Sequence, residues 1–463
     1  MNNQFADQRI SGHPAPRRGR PADEWSEPAF DLVGIGVGPS NLSLAALADP
    51  VPGLRAAFLE TRPTFRWHPG LLDNDALMQT SYLKDLVTPV DPTSRYSFLS
   101  FLRETGRLYR FVVANPDHVS RVEFEQYYRW VAQQLPSVRF DTRAESVELE
   151  NGLLAVRTAR ETLYARSVVL ATGLTPNIPA CARPLLGDDV LHASDYDLIA
   201  PHVAGRRVVV VGGGQTGAEL FLRLVRAKAS GPREITWFSS RPNFLPLDDT
   251  PFTNELFFPN YVEHFRDLPS ARRRTALAQQ RLASDGIDAG TLAQLYQRLY
   301  ALDFLEEPRL SYRLRPGHRL VALTRQTGGL EAVAERDGGG RETVQADVIV
   351  LCTGFAYAPP ACLAPLADWI RRTDDGYHVG GDFSIDWDGP PGRSIYVQNA
   401  ARLSHGIADP NLSLAAWRSA VIVNSVCGRP VYDVAGCSAA IEWPHDPKDQ
   451  PEANAAREIR SEF

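Results

Sequence analysis

A chain of 463 residues, 44% hydrophobic and 22% charged, carries enough apolar side chain for two or three packed units. Its net charge of -6 gives no electrostatic basis for nucleic acid or an anionic membrane as main partner. No run of about 18 apolar residues could span a bilayer. Five cysteines without a CxxC pair argue against a disulfide framework and for a reduced, cytoplasmic protein. Ten histidines without HxH, HxxxH or HExxH spacing predict no metal site.

Residues 1–29 are rich in Pro, Arg, Asp and Gln, with no apolar stretch after the basic residues, and are expected to form a disordered tail rather than a secretory signal. From Asp31 the pattern reads strand, glycine turn, helix over Leu42–Leu47 and second strand over Leu54–Leu59, closed by Glu60. The stretch from Arg62 to Ser97 is loop-like yet aromatic, as expected of sequence buried around a ligand or another domain. Helices are predicted over Ser97–Gly106 and Arg121–Gln134, followed by short strands leading to Ala171-Thr-Gly173. A second strand–turn–helix–strand unit opens near Gly205, with a helix over Gly217–Ala229 and a strand over Glu234–Phe238. Between Phe257 and Leu302 the apolar spacing is helical, and the triplet Arg272–Arg274 reads as a solvated face. Strands over Asp347–Cys352 and Ser394–Gln398 and a closing helix over Leu412–Val426 precede a polar tail after about residue 440.

The two glycine turns carry the chemistry. Pyrophosphate needs clustered backbone N–H groups at a helix N-terminus, and glycine lets the backbone approach without a Cβ clash. Gly212, Gly214 and Gly217 have the full GxGxxG spacing directly after a run of four valines, with Gln215 and Thr216 inside the turn. Where an NAD site would place an acidic residue, the next strand ends in Ser239-Ser240-Arg241, which suits a 2′-phosphate and points to NADPH; a solvent-facing arginine is the plain alternative. In the first turn Gly34, Gly36 and Gly38 allow close approach, but Pro39 stands where the third glycine of the pattern would be. Glu60 is placed to hold a ribose, and FAD suits this site. Two dinucleotides in one chain suggest a flavin oxidoreductase reduced by a nicotinamide coenzyme. A disulfide reductase of the same architecture would need a cysteine pair beside the flavin, and none stands between residues 60 and 90.

Several longer stretches are similar to the flavin-dependent N-hydroxylating monooxygenases of siderophore biosynthesis, the lysine and ornithine N-hydroxylases. They are Gly34-Ile-Gly-Val-Gly-Pro-Ser-Asn41, Trp67-His-Pro-Gly70, Met78 to Val87, Asp91 to Phe98, Gly212 to Gly217, Asn254-Glu-Leu-Phe257 and His405 to Ser413. Ser284-Asp-Gly-Ile287 and Leu414-Ala-Ala-Trp-Arg418 look most like the lysine enzymes. The family's late Ala-Thr-Gly-Tyr turn appears with Cys352 for Ala and Phe355 for Tyr. The resemblance implies that NADPH reduces FAD and that reduced flavin and O₂ transfer one oxygen atom to a neutral primary amine. A free alkylamine titrates near pKa ~10, so the protein must favour its neutral form.

By resemblance, Gln79 lies against the flavin and oxygen site, Lys84 meets the substrate α-carboxylate, Asn254 is a second contact to that end, and Asp285 stands near the reacting amine. Each has a plain alternative: a satisfied buried amide for Gln79, a surface lysine for Lys84, a helix cap for Asn254 and for Asp285. Trp67 and His68 are expected to wall the flavin pocket, with Ser40 and Asn41 in its cradle and Asn411 and Ser413 near the isoalloxazine or the substrate end. The fold class implied is α/β with two Rossmann-like dinucleotide-binding domains. An FAD domain in two parts, 30–204 and 350–440, would receive an NADPH domain at 205–349, with a helical substrate segment at about 258–305. The favoured substrate is the N6-amine of L-lysine, with an aliphatic diamine such as putrescine or cadaverine as rival, since Asn254 stands where lysine enzymes are more acidic. A non-catalytic NADPH-binding redox sensor is the reading from another class. Homo-oligomers are common in the family.

Overall fold

The computed structural model describes residues 29–71, 76–199, 201–227, 230–307, 310–373, 376–435 and 438–444. Two parallel-centred sheets organise it. In the first, the strands run in the order Val138–Arg139, Ala56–Leu59, Phe30–Ile35, Thr162–Leu170, Leu153–Arg157 and Ser146–Glu150. Ser394–Val397 returns from late in the chain to pair in parallel with Thr162–Leu170. The second sheet is fully parallel, in the order Ser311–Arg315, Glu234–Phe238, Arg207–Val211, Val348–Leu351 and Val190–His192. Strands covered on both faces need continuous apolar runs, and Val208–Val211 and Val348–Leu351 are buried throughout.

Ile35 stands level with Leu59 and Leu170, and Val211 with Phe238 and Leu351. The carboxyl ends of each sheet are therefore aligned, and the loops leaving them gather where α/β sheets bind ligands. Behind the first sheet the helix Pro39–Ala48 packs on the closing helix Ala415–Cys427, so the last part of the chain completes the layer begun by the first. Four helices, Pro259–Asp267, Ser270–Gln279, Arg281–Asp285 and Ala289–Phe304, occupy the segment expected to be helical. Phe257, Val262 and Ala283 from that region share a small apolar cluster with Ile407 and Ala408, joining it to the chain's return.

Some boundaries differ from those expected. Val190–His192 pairs inside the second sheet, so that sheet begins before residue 205, and its fourth strand Val348–Leu351 runs past residue 349. The first helix spans Pro39–Ala48 rather than Leu42–Leu47. A helix at Leu108–Ala114 and a three-stranded antiparallel sheet, His318–Gln326, Gly329–Arg336 and Arg341–Ala346, are additions to the expected elements. The expected tail over residues 1–28 and the polar end over 445–463 lie outside the described residues, as does the expected helix end at Ala229.

Candidate active site

Both glycine turns lead into a helix whose start has no side-chain cap. In the first, Gly36 has φ +86°, and a Cβ there would stand 2.6 Å from the Ala171 carbonyl oxygen; one on Gly34 would stand 2.3 Å from the Phe58 ring. Gly38 caps the helix Pro39–Ala48 with no side-chain hydrogen bond and with open space where its Cβ would be. The first-turn N–H groups therefore face an open cradle. Pro39 is the first helical residue, a position where a missing N–H costs nothing, which explains its tolerance in place of glycine. Glu60 accepts hydrogen bonds from Val37 N and Arg62 N, both at 2.9 Å, and so stands fixed beside the turn.

A buried polar network holds this turn from behind. Asn41 Nδ2 donates to the Gly36 carbonyl at 2.8 Å and accepts Gln398 Nε2 on Oδ1 at 2.7 Å. Arg418, 2% exposed, donates to Gln398 Oε1 at 3.1 Å, to Ser40 Oγ at 3.1 Å and to the carbonyl and carboxylate of Asp409. A buried guanidinium is tolerable only when its charge and donors are met, and here they are.

The second turn repeats the design with tighter clearances. Cβ atoms on Gly212, Gly213 and Gly217 would stand 2.0 Å from Cys352 O, 2.0 Å from Ser239 Oγ and 2.1 Å from Gly212 O. Gly214 caps Gln215–Arg226 without a side-chain bond, and the atom nearest its missing Cβ is Arg241 Nη2 at 3.8 Å. Arg241 is 9% exposed and donates Nη1 to the Asp285 carbonyl at 2.7 Å; burial and the charge of Arg281 push its pKa down. A desolvated arginine beside an uncapped helix start fits a 2′-phosphate, with exposed Ser240 next to it. The solvent-facing alternative for Arg241 is not realised. Gln215 Nε2 donates to Glu219 at 2.8 Å and its Oε1 accepts Asp288 N at 2.7 Å, tying the turn to the helical segment. Thr216 and Glu219 line a cavity of about 40 Å³ with Gly70 and Leu71.

Arg121 links the two halves. It makes a two-pronged pair with Glu219 at 3.0 and 3.2 Å and donates Nε to the Leu77 carbonyl at 3.1 Å, two residues from Gln79. Gln79 is exposed, so its amide is open to a ligand rather than satisfied in the core. Trp67 packs edge-on against Tyr128, and His68 faces Phe355 with ring centroids 6.0 Å apart. The His68 ring is accessible, but it sits in a recess where desolvation, then Arg121 and Arg62, push its pKa down to about 4. It is neutral at neutral pH and a poor base for an alkylammonium.

Lys84 is half-buried, and among the described residues its ammonium has no hydrogen-bond or ion-pair partner; desolvation lowers its pKa. Neighbouring Asp85 is turned away, accepting Val87 N, Thr88 N, Thr88 Oγ1 and Phe98 N. Asn254 ends the short helix Pro251–Asn254, and its Nδ2 donates to the Asp249 carbonyl at 2.8 Å, so it is not a side-chain cap. Asp285 also caps nothing. Its carboxylate lies 3.1 Å from Ser284 Oγ and 3.6 Å from Arg402 Nη2, while Asp288 caps the next helix by accepting Thr291 N. Asn411 Oδ1 accepts Ser413 N at 2.8 Å, and Ser413 is buried in the turn just before the closing helix. Sequence reasoning gives no role to Gly213, Arg121, Glu219, Gln398 or Arg402, and names Arg418 only as part of a family-like stretch. Gly213 is visible in the glycine run; the others owe their place to contacts between distant elements.

The family profile described as L-lysine 6-monooxygenase/L-ornithine 5-monooxygenase matches residues 28–357. The chain is 39% identical to the L-lysine N6-monooxygenase of Escherichia coli over 420 residues, covering 90% of this chain and 98% of that one. Among solved structures it is similar to the cadaverine monooxygenase of Erwinia amylovora bound to FAD, with TM-score 0.85, 31% identity and coverage of 91% of this chain and 100% of that one. It is also similar to the ornithine N-hydroxylase of Kutzneria sp. 744 with reduced FAD, NADP⁺ and L-ornithine, with TM-score 0.80, 30% identity and coverage of 87% and 99%.

Proposed function

The chain belongs to the L-lysine 6-monooxygenase/L-ornithine 5-monooxygenase family, and from that premise we propose that it hydroxylates the N6-amine of L-lysine for a hydroxamate siderophore. It is a flavin-dependent N-hydroxylating monooxygenase that uses FAD and NADPH. Bound FAD, reduced by NADPH, would supply the O₂ chemistry, with one oxygen atom going to the amine nitrogen and the other leaving as water. The protein's share is to hold the parts. The turn Gly34–Asn41, including Gly38, Pro39 and Ser40, would seat the FAD pyrophosphate and Glu60 its ribose, with Trp67, His68, Gln79, Asn411 and Ser413 around the ring. Gly212, Gly214, Gln215, Thr216 and Gly217 would seat NADPH, and Ser240 and Arg241 its 2′-phosphate.

The observation that carries the lysine reading is the half-buried Lys84 ammonium, which has no partner among the described residues. Burying a cation without a partner is costly, and a substrate carboxylate relieves that cost. Asn254 would share that end, and Asp285 would face the amine. With His68 held neutral and weakly basic, the amine would shed its proton to solvent before attack, and the Asp285 carboxylate would hold the ammonium form beforehand. We assign residues 30–189 and the return from about 352 to the flavin half, and the sheet between them to the coenzyme half. A homo-oligomer in the cytoplasm is the working form we propose, on family resemblance; among the described residues no helix is long and apolar enough to cross a membrane.

The test is a parallel assay of hydroxylamine formation from lysine, ornithine, putrescine and cadaverine. Lysine should be turned over most efficiently. Strong turnover of a diamine with none of lysine contradicts the substrate assignment.

A further inference from the structure

The segment carrying the four helices meets the end of the chain at one polar junction. Arg402, the first residue of the short helix Arg402–His405, places Nη2 3.6 Å from Asp285 Oδ2 and 3.4 Å from Ser284 Oγ. Asp285 ends the helix Arg281–Asp285, and its carbonyl receives Arg241 Nη1 at 2.7 Å. That bond occupies one arm of the Arg241 fork beside the uncapped start of Gln215–Arg226. On the other side, Ala401 N donates to Asp409 Oδ2 at 2.8 Å. Asp409 pairs with Arg418 at 3.2 Å, and Arg418 reaches Ser40 Oγ at 3.1 Å in the first cradle. A continuous run of contacts thus leads from one dinucleotide cradle to the other, and it crosses between the two halves at Arg402.

We propose that Arg402 is a positioning residue that ties the 2′-phosphate site to the flavin-side half through Asp285. The inference rests on the reading in which the second cradle holds NADPH. Arg402 acts by fixing the end of the helix Arg281–Asp285. The carbonyl at that end holds Arg241 by one arm, which leaves its other donors aimed at the phosphate oxygens. Backbone bonds from Asp248 N to the Leu282 carbonyl at 3.1 Å and from Ile287 N to the Leu245 carbonyl at 3.0 Å keep the segment in place, so losing the tether frees only the orientation of the helix end whose carbonyl aims Arg241. The loss falls on a coenzyme that carries a 2′-phosphate and spares one that lacks it, because the pyrophosphate cradle is built from backbone elsewhere. A general loosening of the fold would affect both coenzymes alike, so the comparison separates the two roles.

The experiment uses the full-length, FAD-loaded protein with an amine substrate, and measures KM for NADPH and for NADH in wild type, Arg402→Ala and Arg402→Lys. For a half-exposed pair of this length, Arg402→Ala should raise KM for NADPH about fivefold, with KM for NADH, FAD content and thermal midpoint unchanged. Arg402→Lys should recover most of the loss. An unchanged KM for NADPH in Arg402→Ala, or an equal rise for both coenzymes, overturns the inference. A wild-type protein that oxidises neither coenzyme in the presence of any amine strikes at the functional reading instead, so the two failures are told apart.

Discussion

The proposed ligands rest at the residue scale on two charged side chains, Lys84 and Arg241. Both are desolvated with lowered pKa values, and each stands where an anion is expected. For Lys84 the consequence is a pH dependence with a defined sign. The carboxylate partner needs the ammonium form, and a lowered pKa means that this form is lost earlier as pH rises. The reacting amine needs the opposite change, because only its neutral form attacks. We therefore expect kcat/KM for lysine to rise and then fall toward alkaline pH, the falling limb coming from Lys84. Lys84→Met should raise KM for lysine by roughly 10- to 100-fold, the worth of a charge-assisted contact, and abolish the falling limb. A variant with unchanged KM for lysine would remove Lys84 from the substrate site. His68, held down to about 4, contributes no inflection near neutrality.

At the scale of elements, Gly34 and Gly36 in the first cradle and Gly212, Gly213 and Gly217 in the second stand too close to a named neighbour to take a side chain, while Gly38 faces open space. Gly213→Ala would drive a Cβ to 2.0 Å from Ser239 Oγ, on a side chain that is itself fully buried and accepts Arg241 N at 3.1 Å. Neither side can give without moving the turn or Arg241. Stopped-flow flavin reduction should show kcat/KM for NADPH falling about 100-fold while bound FAD is retained; normal reduction would mean that the turn does not seat the coenzyme. Such turns are legible in the sequence because their chemistry is local: four valines, then glycines at fixed offsets, then a helix. The spans Arg121–Gln134 and Glu234–Phe238 are equally legible, since their apolar spacing follows a single period. The helix Leu108–Ala114 is not, because only Leu108 and Phe111 turn toward the core while the equally apolar Tyr109, Val112 and Val113 stay exposed. The antiparallel sheet from His318 to Ala346 leaves a signal in the turns at Gly328–Gly329 and Asp337–Gly340, but charged residues along its strands obscure the two-residue alternation. The ties Arg121–Glu219 and Arg402–Asp285 are illegible for a different reason. They join residues brought together only by the assembled fold.

Across the whole molecule, the late strand Ser394–Val397 and the closing helix complete the flavin half, which forces the coenzyme sheet to be an insertion between its parts. That topology places two phosphate cradles on facing halves and leaves Arg121 and Arg402 to bridge them. The central claim is that the arrangement passes electrons from NADPH through FAD to O₂ and one oxygen atom to an amine. The most direct measurement is mass analysis of lysine incubated with the FAD-loaded protein, NADPH and isotopically labelled O₂. The account predicts an N-hydroxylysine carrying one labelled oxygen, formed only when flavin, NADPH and O₂ are all present. Oxidation of NADPH that leaves lysine, ornithine and the diamines without label, or a protein that binds NADPH and performs no turnover, would contradict it.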